Sequence, residues 1–249
     1  GRYFMDHLFA GMGGTLDRRT RQNHVGFNTS ECHQFYDDPT RGTEGSAGGI
    51  PAWEESGEGG SGDGGPAPDS IKLEFLNYAG PSPVEMALSG EEWGDDLLET
   101  LREGYGNSIA MGGLVGQRPR KENRIELDPS TTDDHGNPVP KIHWRVDDRT
   151  EASLRRANRI QRAILDELGV DISWTVGPES TGPAFHHMGT TRMGADASES
   201  VVNPQLRTHD LRNLSVASSS VFRTGGALNP TLTIAALSLK CADAVEKSL

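Results

Sequence analysis

Lysine is scarce in this sequence of 249 residues. The basic side chains comprise five lysines and 19 arginines, against 36 acidic residues, so the formal net charge is −12. An acidic surface repels the phosphate backbone, and this argues against a nucleic-acid-binding role. An acidic, lysine-poor surface also stays hydrated in concentrated salt, where repulsion between its charges is screened. We therefore expect a halophilic source.

Long apolar runs and cysteines are also lacking. No run approaches the roughly 20 apolar residues that a membrane helix needs, so we predict no membrane span. Cys32 and Cys241 are far apart in sequence, and we expect two free thiols rather than a disulfide. The chain has no initiator methionine and no signal-peptide pattern, which indicates a piece of a longer polypeptide.

One segment lacks any apolar periodicity. Residues 42–69 are rich in glycine and acidic residues, and we predict a flexible loop there. Gly57, Gly59 and Gly62 in this segment spell G-x-G-x-x-G, the pattern of dinucleotide-binding turns. That pattern requires a preceding strand and a following helix, and here it has neither. We therefore interpret these glycines as part of the loop.

Five later segments have the periodicity of regular structure. They are a strand at 71–75, a helix at 90–103, a strand at 107–117, a hairpin between Ile125 and Val146, and a helix at 151–168 with Leu154, Ala157, Ile160, Ile164 and Leu168 on one face. In the first strand, alternation predicts Lys72 and Glu74 on the solvent side. Antiparallel strands with helices laid on them predict an α+β platform.

The C-terminal segment has a different composition. We predict a short buried strand around Leu214–Val216, then a helix that Asn229 caps and Pro230 begins. Small residues such as Gly225 and Gly226 before a helix let a bulky planar ligand approach the backbone. The first helical amides, together with the helix dipole, favour negative charge in that ligand.

Two adjacent histidines allow three interpretations. A zinc site of a metal hydrolase could use His186, His187 and His209, but neighbouring side chains on an extended chain point to opposite faces. The second interpretation is a purely structural role. It suits every histidine of the sequence except His186, namely His7, His24, His33, His135, His143, His187 and His209. The third makes one histidine of the pair a general base beside a bound planar cofactor.

Specific motifs favour the third interpretation. The stretch H-x-x-G-T-x-R-M-G at 186–194 and the NPTLT at 229–233 closely resemble the C-terminal region of the glucose–methanol–choline (GMC) flavoprotein oxidoreductases, most of all the sugar and sugar-acid dehydrogenases. GRYFMDH at 1–7 resembles the mid-chain segment of that family, and residues 123–144 resemble its substrate-domain hairpin. The likeness is strongest over residues 119–249 and weakest over 16–70.

The resemblance implies a fold and a domain organisation. The fold is an α+β substrate domain, an antiparallel sheet with packed helices, plus the C-terminal portion of a Rossmann-like α/β domain that binds FAD. Residues 1–15 would belong to the FAD domain and residues 16–175 to the substrate domain. Residues 176–249 would return to the FAD domain with the catalytic groups.

The resemblance also implies a reaction and its residues. His186 would take the proton of a substrate CH–OH group while hydride passes to N5 of the flavin, and Asn229 would hydrogen-bond the substrate oxygen. Gly225, Gly226, Asn229, Pro230 and Thr231 would contact FAD. Substrates would be small sugars, sugar acids or alcohols, and the electron acceptor stays open.

The sequence departs from the family in two respects. Ser218 stands where many relatives carry an aspartate, and the second departure is more serious. The N-terminal glycine fingerprint that holds the ADP part of FAD is absent from these 249 residues. We therefore expect the chain alone to bind FAD poorly, unless an N-terminal FAD-binding polypeptide completes it. The alternative is an inactive fragment or degenerate relative that serves as a binding or interaction module.

Overall fold

The computed structural model describes residues 1–20, 30–36, 70–77 and 80–247. The predicted flexible loop at 42–69, including its G-x-G-x-x-G, lies outside the described residues. By its internal contacts the chain divides into two compact units. The first comprises 1–8, 116–147 and 183–249, and the second comprises 9–115 and 148–182. The predicted domain boundaries after residues 15 and 175 stay predictions.

Nine strands and four helices form the described part of the chain. The strands are β1 Arg2–Met5, β2 Leu8–Thr15, β3 Glu31–Cys32, β4 Ile71–Phe75, β5 Ser108–Val115, β6 Arg124–Thr132, β7 Pro138–His143, β8 Asp171–Val176 and β9 Met188–Thr190. The helices are α1 Pro83–Ser89, α2 Gly94–Gly104, α3 Asp148–Glu167 and α4 Thr231–Glu246, and a short 3-10 helix spans Ser219–Val221.

The first unit contains a four-stranded antiparallel sheet in the order β7-β6-β1-β9. The predicted hairpin is confirmed as β6 and β7, with Ile125 opposite Ile142. At the other side of β1, Met5 pairs with Met188 of β9. Gly189 follows in a left-handed conformation with φ of 81°, and a Cβ there would clash with the carbonyl oxygen of Tyr3. This glycine therefore lets β9 approach β1.

The core of the first unit joins that sheet to the C-terminal region. Its buried members are Met5, Met188, Val202, Leu206, Val221, Phe222 and Cys241. Ile234 and Leu237 of α4 pack against this cluster, so one side of α4 is anchored to it. Because β1, β9 and α4 share this core, the residues that follow or precede them are held in fixed positions.

The second unit contains a five-stranded sheet in the order β3-β4-β5-β2-β8. Helix α3 packs against β4, β5 and β8. The buried face of α3 includes the predicted Leu154, Ala157 and Ile160, but at its C-terminal end Leu165 is buried while Ile164 and Leu168 are half-buried. Gln161 of the same helix is fully buried and donates its side-chain amide to the carbonyl oxygen of Ala10 at 3.1 Å.

The predicted solvent exposure of Lys72 is wrong. Its side chain is fully buried, and its Nζ lies 3.0 Å from a carboxylate oxygen of Glu31 and 2.8 Å from one of Glu74. Glu31 comes from β3, which pairs with β4 and supplies a counter-charge that alternation within β4 does not reveal. A buried ammonium group needs such partners, since desolvation of an unpaired charge is costly.

Three other predictions need correction. The helix predicted at 90–103 is α2, which begins at Gly94, and the separate helix α1 precedes it. Trp93 lies just before α2 with 84% of its surface exposed. The helix predicted at 151–168 begins at Asp148 and ends at Glu167. The strand predicted around Leu214–Val216 is wrong, because that stretch makes only an isolated bridge between Ser215 and Arg207.

The α+β class predicted from the sequence is confirmed. Both sheets contain antiparallel pairs, and the helices lie outside the strand order rather than alternating regularly with parallel strands. Cys32 and Cys241 are free thiols. Among the residues described, no helix combines the length and apolar character needed to cross a membrane.

Candidate active site

The strand register brings two dipeptides together. Met5 is the last residue of β1 and pairs with Met188, the first residue of the antiparallel β9. The residues that follow Met5 therefore run beside the residues that precede Met188. Asp6 and His7 lie in this way next to His186 and His187. A bridge between Leu8 and Pro183 continues the alignment.

Hydrogen bonds join these dipeptides crosswise. One carboxylate oxygen of Asp6 accepts the backbone N–H of His186 at 2.8 Å. The other lies 3.3 Å from Nε2 of His187, a close contact without the geometry of a hydrogen bond. Nδ1 of His7 lies 3.0 Å from Nδ1 of His186, with the two rings in a T-shaped arrangement at 87°. The carbonyl oxygen of His7 accepts the N–H of Ala184 at 2.9 Å. His186 is therefore fixed through both its backbone and its ring.

Asp6 is a buried carboxyl group, with 1% of its surface exposed. Burial raises the pKa of Asp6 above its usual range, because removal from water disfavours the carboxylate. The N–H of His186 and the ring of His187 lower the pKa of Asp6, but by less than burial raises it. Ionised Asp6 is therefore a net cost to the folded state.

This cost predicts a pH-dependent effect of Asp6→Asn. Because the pKa of Asp6 is raised in the folded state, protonated Asp6 favours folding. That stability is fully present below the pKa of Asp6 in the unfolded chain, and it is lost as pH rises through the pKa of Asp6 in the folded protein. An asparagine oxygen can still accept the N–H of His186 without carrying a charge. We expect the variant to gain thermal stability relative to the parent as pH rises from about 4, the usual pKa of an aspartate, through the range in which folded Asp6 ionises. Melting curves across this range test it, and a gain that shrinks with rising pH would contradict it.

Asn229 meets His186 from a distant part of the sequence. Nδ2 of Asn229 lies 3.4 Å from Nε2 of His186, although 43 positions separate them in the sequence. The predicted meeting of these two side chains is therefore seen in the structure. His186 is half-buried and Asn229 is exposed, so their polar atoms line an accessible surface.

The helix after Asn229 begins one residue later than predicted. Pro230 is the N-cap and Thr231 the first residue of α4, so the prediction that Asn229 caps the helix is wrong. No side chain of the described residues caps this end. Thr231, Leu232 and Thr233 are exposed. The first-turn amides and the positive end of the helix dipole are therefore open to an electron-rich ligand group.

Gly225 and Gly226 are half-buried in the segment that leads to α4. A Cβ on Gly225 would lie 2.7 Å from Cε of Met188, so a larger residue there would require the end of the Met188 side chain to move. Contact of either glycine with FAD stays a prediction, as does that of Pro230 and Thr231.

The two adjacent histidines point to different surroundings. The ring of His187 lies 5.5 Å from that of Phe4 and is largely exposed, whereas the ring of His186 faces His7 and Asn229. Nε2 of His209 lies 2.8 Å from the hydroxyl of Ser200. The residues that the structure describes contain no group of three His, Cys, Asp or Glu side chains able to hold a metal ion. The metal-hydrolase interpretation therefore gains no support from them.

Asp6 and His7 are the site residues that the sequence analysis missed. His7 was assigned a structural role, and Asp6 was assigned none. The sequence feature that could have pointed to them is the GRYFMDH stretch, in which a charged residue and a histidine follow an apolar strand. Its meaning depends on the pairing of β1 with β9, which joins residues about 180 positions apart.

Comparison with known proteins shows which family the sequence resembles. The family model for GMC oxidoreductase matches residues 119–238. The chain is 31% identical over 159 residues to 2-methyl-1,2-propanediol dehydrogenase of Mycolicibacterium austroafricanum, covering 62% of this chain and 28% of that protein. It is 32% identical over 179 residues to the fructose dehydrogenase large subunit of Gluconobacter japonicus, covering 69% of this chain and 30% of that protein.

A solved structure shares the fold. The crystal structure of pyridoxine 4-oxidase from Mesorbium loti superposes with a TM-score of 0.63 at 17% identity, covering 99% of this chain and 43% of that chain. The chain spans less than a third of the length of the 2-methyl-1,2-propanediol dehydrogenase and of the fructose dehydrogenase large subunit. Residues 119–238 of the chain match the C-terminal part of the GMC oxidoreductase family, whose members are FAD-dependent.

Proposed function

We propose that this chain supplies the general base and the substrate-orienting group of an FAD-dependent oxidoreductase that acts on a CH–OH group. The observation that carries the proposal is the approach of Asn229 Nδ2 to within 3.4 Å of His186 Nε2 beside the open N-terminus of α4. Family membership supplies the class of reaction, and the side chains supply the groups that it needs.

His186 can act as the base through Nε2. A neutral imidazole is a suitable acceptor for a hydroxyl proton near neutral pH, and such a base typically accelerates a reaction by about 10²–10⁴-fold. Half-burial leaves the ring accessible to substrate. Asp6 fixes the backbone of His186, and the contact with His7 restricts the orientation of the ring. The substrate hydroxyl would donate its proton to Nε2.

Asn229 can hold the same substrate oxygen. Its amide N–H is a neutral donor, so it orients the alcohol without adding a charge that would alter the protonation of His186. Two groups on one oxygen restrict the direction of the neighbouring C–H bond, which reduces the entropy lost on reaching the transition state.

The residues at the start of α4 fit the pyrimidine edge of a flavin. That edge carries carbonyl oxygens and gains negative charge on reduction, and the exposed first-turn amides of α4 can donate to it. Asn229, Pro230, Thr231, Gly225 and Gly226 would hold FAD from this side. When bound, FAD accepts the hydrogen that leaves the carbinol carbon as hydride.

A second polypeptide segment would complete the FAD site. In the sequence, the G-x-G-x-x-G of Gly57, Gly59 and Gly62 has no strand pattern before it and no helix pattern after it. We therefore expect the ADP part of FAD to require a fingerprint from elsewhere. Exposed apolar residues on α4, with Leu232 82% and Leu239 71% exposed, are consistent with a further surface packing there. We infer an N-terminal FAD-binding polypeptide as this partner and expect weak FAD binding by the 249 residues alone.

Small sugars, sugar acids and alcohols are the proposed substrates. The named relatives act on a diol and on fructose, which both offer CH–OH groups. We expect at least one member of a panel of hexoses, aldonic acids, diols and simple alcohols to bleach the bound flavin of the natural protein that contains this chain. Anaerobic absorbance spectroscopy measures this reduction. Stable FAD binding without bleaching by any member would instead favour the interaction-module alternative, and loss of activity on chelation would favour a metal enzyme.

A further inference from the structure

We propose that His7 is a positioning residue that fixes the tautomer of His186, so that the proton sits on Nδ1 of His186 and its Nε2 carries the lone pair that acts as a base. This inference rests on the proposed function for its consequence, but it concerns a protonation state that can be measured without turnover.

The contact between the two imidazoles admits two arrangements. Their Nδ1 atoms are 3.0 Å apart, a hydrogen-bond distance, so one proton lies between them. If His7 donates that proton, a neutral His186 must carry its own proton on Nε2 and cannot use that atom as a base. If His186 donates, its Nε2 holds a lone pair.

Asn229 discriminates between these arrangements. The atom of Asn229 that faces Nε2 of His186 is the amide nitrogen, at 3.4 Å. An amide nitrogen only donates, and it therefore matches a ring nitrogen that accepts. A protonated Nε2 would set two donors against each other. The arrangement in which His186 donates to His7 satisfies both contacts at once.

The surroundings of His7 hold the residue in a fixed position. His7 is fully buried, and burial disfavours the charged imidazolium form. Its backbone is held by the N–H of Ala184 at 2.9 Å, and the preceding Asp6 holds the backbone of His186 at 2.8 Å. The pairing of Met5 with Met188 sets the spacing of both dipeptides. His7 therefore accepts from a partner whose position the same sheet determines.

The arrangement also favours the proton transfer itself. When the substrate proton moves to Nε2, the proton on Nδ1 of His186 stays in its bond to His7. The donor in that bond is then an imidazolium, and hydrogen bonds from charged donors are shorter and stronger than neutral ones. His7 thus stabilises the protonated base without contacting the substrate.

The first test reads the tautomer directly. Nitrogen-15 NMR of histidine-labelled natural protein, without substrate, distinguishes protonated from unprotonated ring nitrogens, and His186→Gln assigns the signals of His186. We expect neutral His186 to carry its proton on Nδ1. A proton on Nε2 instead would overturn the inference.

Two variants of His7 test the cause. His7→Asn places an amide oxygen where Nδ1 lies and retains an acceptor, whereas His7→Leu fills a similar volume without one. We expect His186 to stay in the Nδ1-protonated form in His7→Asn and to populate the Nε2-protonated form in His7→Leu. If His186 has the same tautomer in parent and His7→Leu, then His7 does not set it. Should His7→Leu fail to fold, His7→Met, which also lacks an acceptor at this position, takes its place in the same comparison.

Kinetics separate this inference from the proposed function. In stopped-flow flavin reduction, we expect His7→Leu to lower the limiting rate by roughly 10–100-fold, a part of the ~10²–10⁴-fold that a general base supplies. We expect a much smaller change in substrate Kd, and near-parental rates in His7→Asn. A loss confined to Kd would contradict a role in positioning the base. If no CH–OH donor reduces the flavin at all, the proposed function fails, and the NMR result still reports on His7.

Discussion

Replacement of His186 with alanine in the natural, FAD-loaded protein should lower the rate of flavin reduction by substrate by about 10²–10⁴-fold, while FAD stays bound. The expected size follows from loss of the general base, because Asn229 can orient the substrate oxygen but cannot take its proton. Since His186 is half-buried at the surface of the first unit, its removal leaves the Met5–Met188 pairing in place. Stopped-flow absorbance gives the rate, and the flavin-to-protein absorbance ratio gives the FAD content.

A matched histidine variant controls for loss of an imidazole. His209 lies in the same unit, and its ring bonds Ser200 rather than any residue of the candidate site. His209→Ala should reduce flavin at the parental rate. Added imidazole should restore part of the activity of His186→Ala if the missing group is a base. A His186→Ala protein that retains both FAD and the parental reduction rate would remove His186 from the mechanism.

The meeting of His186 with Asn229 could be predicted from the sequence because motifs mark both residues. H-x-x-G-T-x-R-M-G and NPTLT are specific enough to place the pair, although neither motif contains information about distance. Helix α4 was predictable for a different reason: its apolar sequence and its proline mark a helix start, with an error of one residue.

Asp6 and His7 could not be predicted in the same way. Their role depends on the register of β1 with β9, and residues 1–40 show no clear period from which β1 could be recognised. In β2, three glycines at positions 11, 13 and 14 interrupt the apolar pattern, which concealed the next strand as well. Side-chain partners that come from another strand are not encoded locally.

Lys72 in the second unit was also mispredicted because its partner comes from another strand. Alternation in β4 assigned its side chain to solvent, and only the pairing with β3 reveals Glu31 as its partner. Alternation predicts which face a side chain occupies when one face is wet, and it fails where both faces are covered. The buried Lys72 and the buried Asp6 were therefore missed for related reasons: charged residues are read as exposed until tertiary contacts are known.

Replacement of Asn229 with aspartate should lower flavin reduction by roughly 10–10³-fold near pH 7. The new carboxylate would lie about where Nδ2 now faces Nε2 of His186, and an opposite charge at that distance stabilises the imidazolium. A protonated His186 cannot accept the substrate proton. The open N-terminus of α4 would hold the carboxylate in its charged form, which strengthens the effect.

The pH dependence identifies this cause. As pH rises, the imidazolium loses its proton, so the rate of Asn229→Asp should recover towards that of Asn229→Ala. The alanine variant loses only an orienting hydrogen bond, and we expect a drop of about 10-fold that changes little with pH. Asn213→Asp adds the same charge at an exposed position of the same unit and should leave the rate unchanged. Parallel pH profiles for Asn229→Asp and Asn229→Ala would show that the carboxylate does not change the protonation of His186. They would contradict a direct contact between residue 229 and the base.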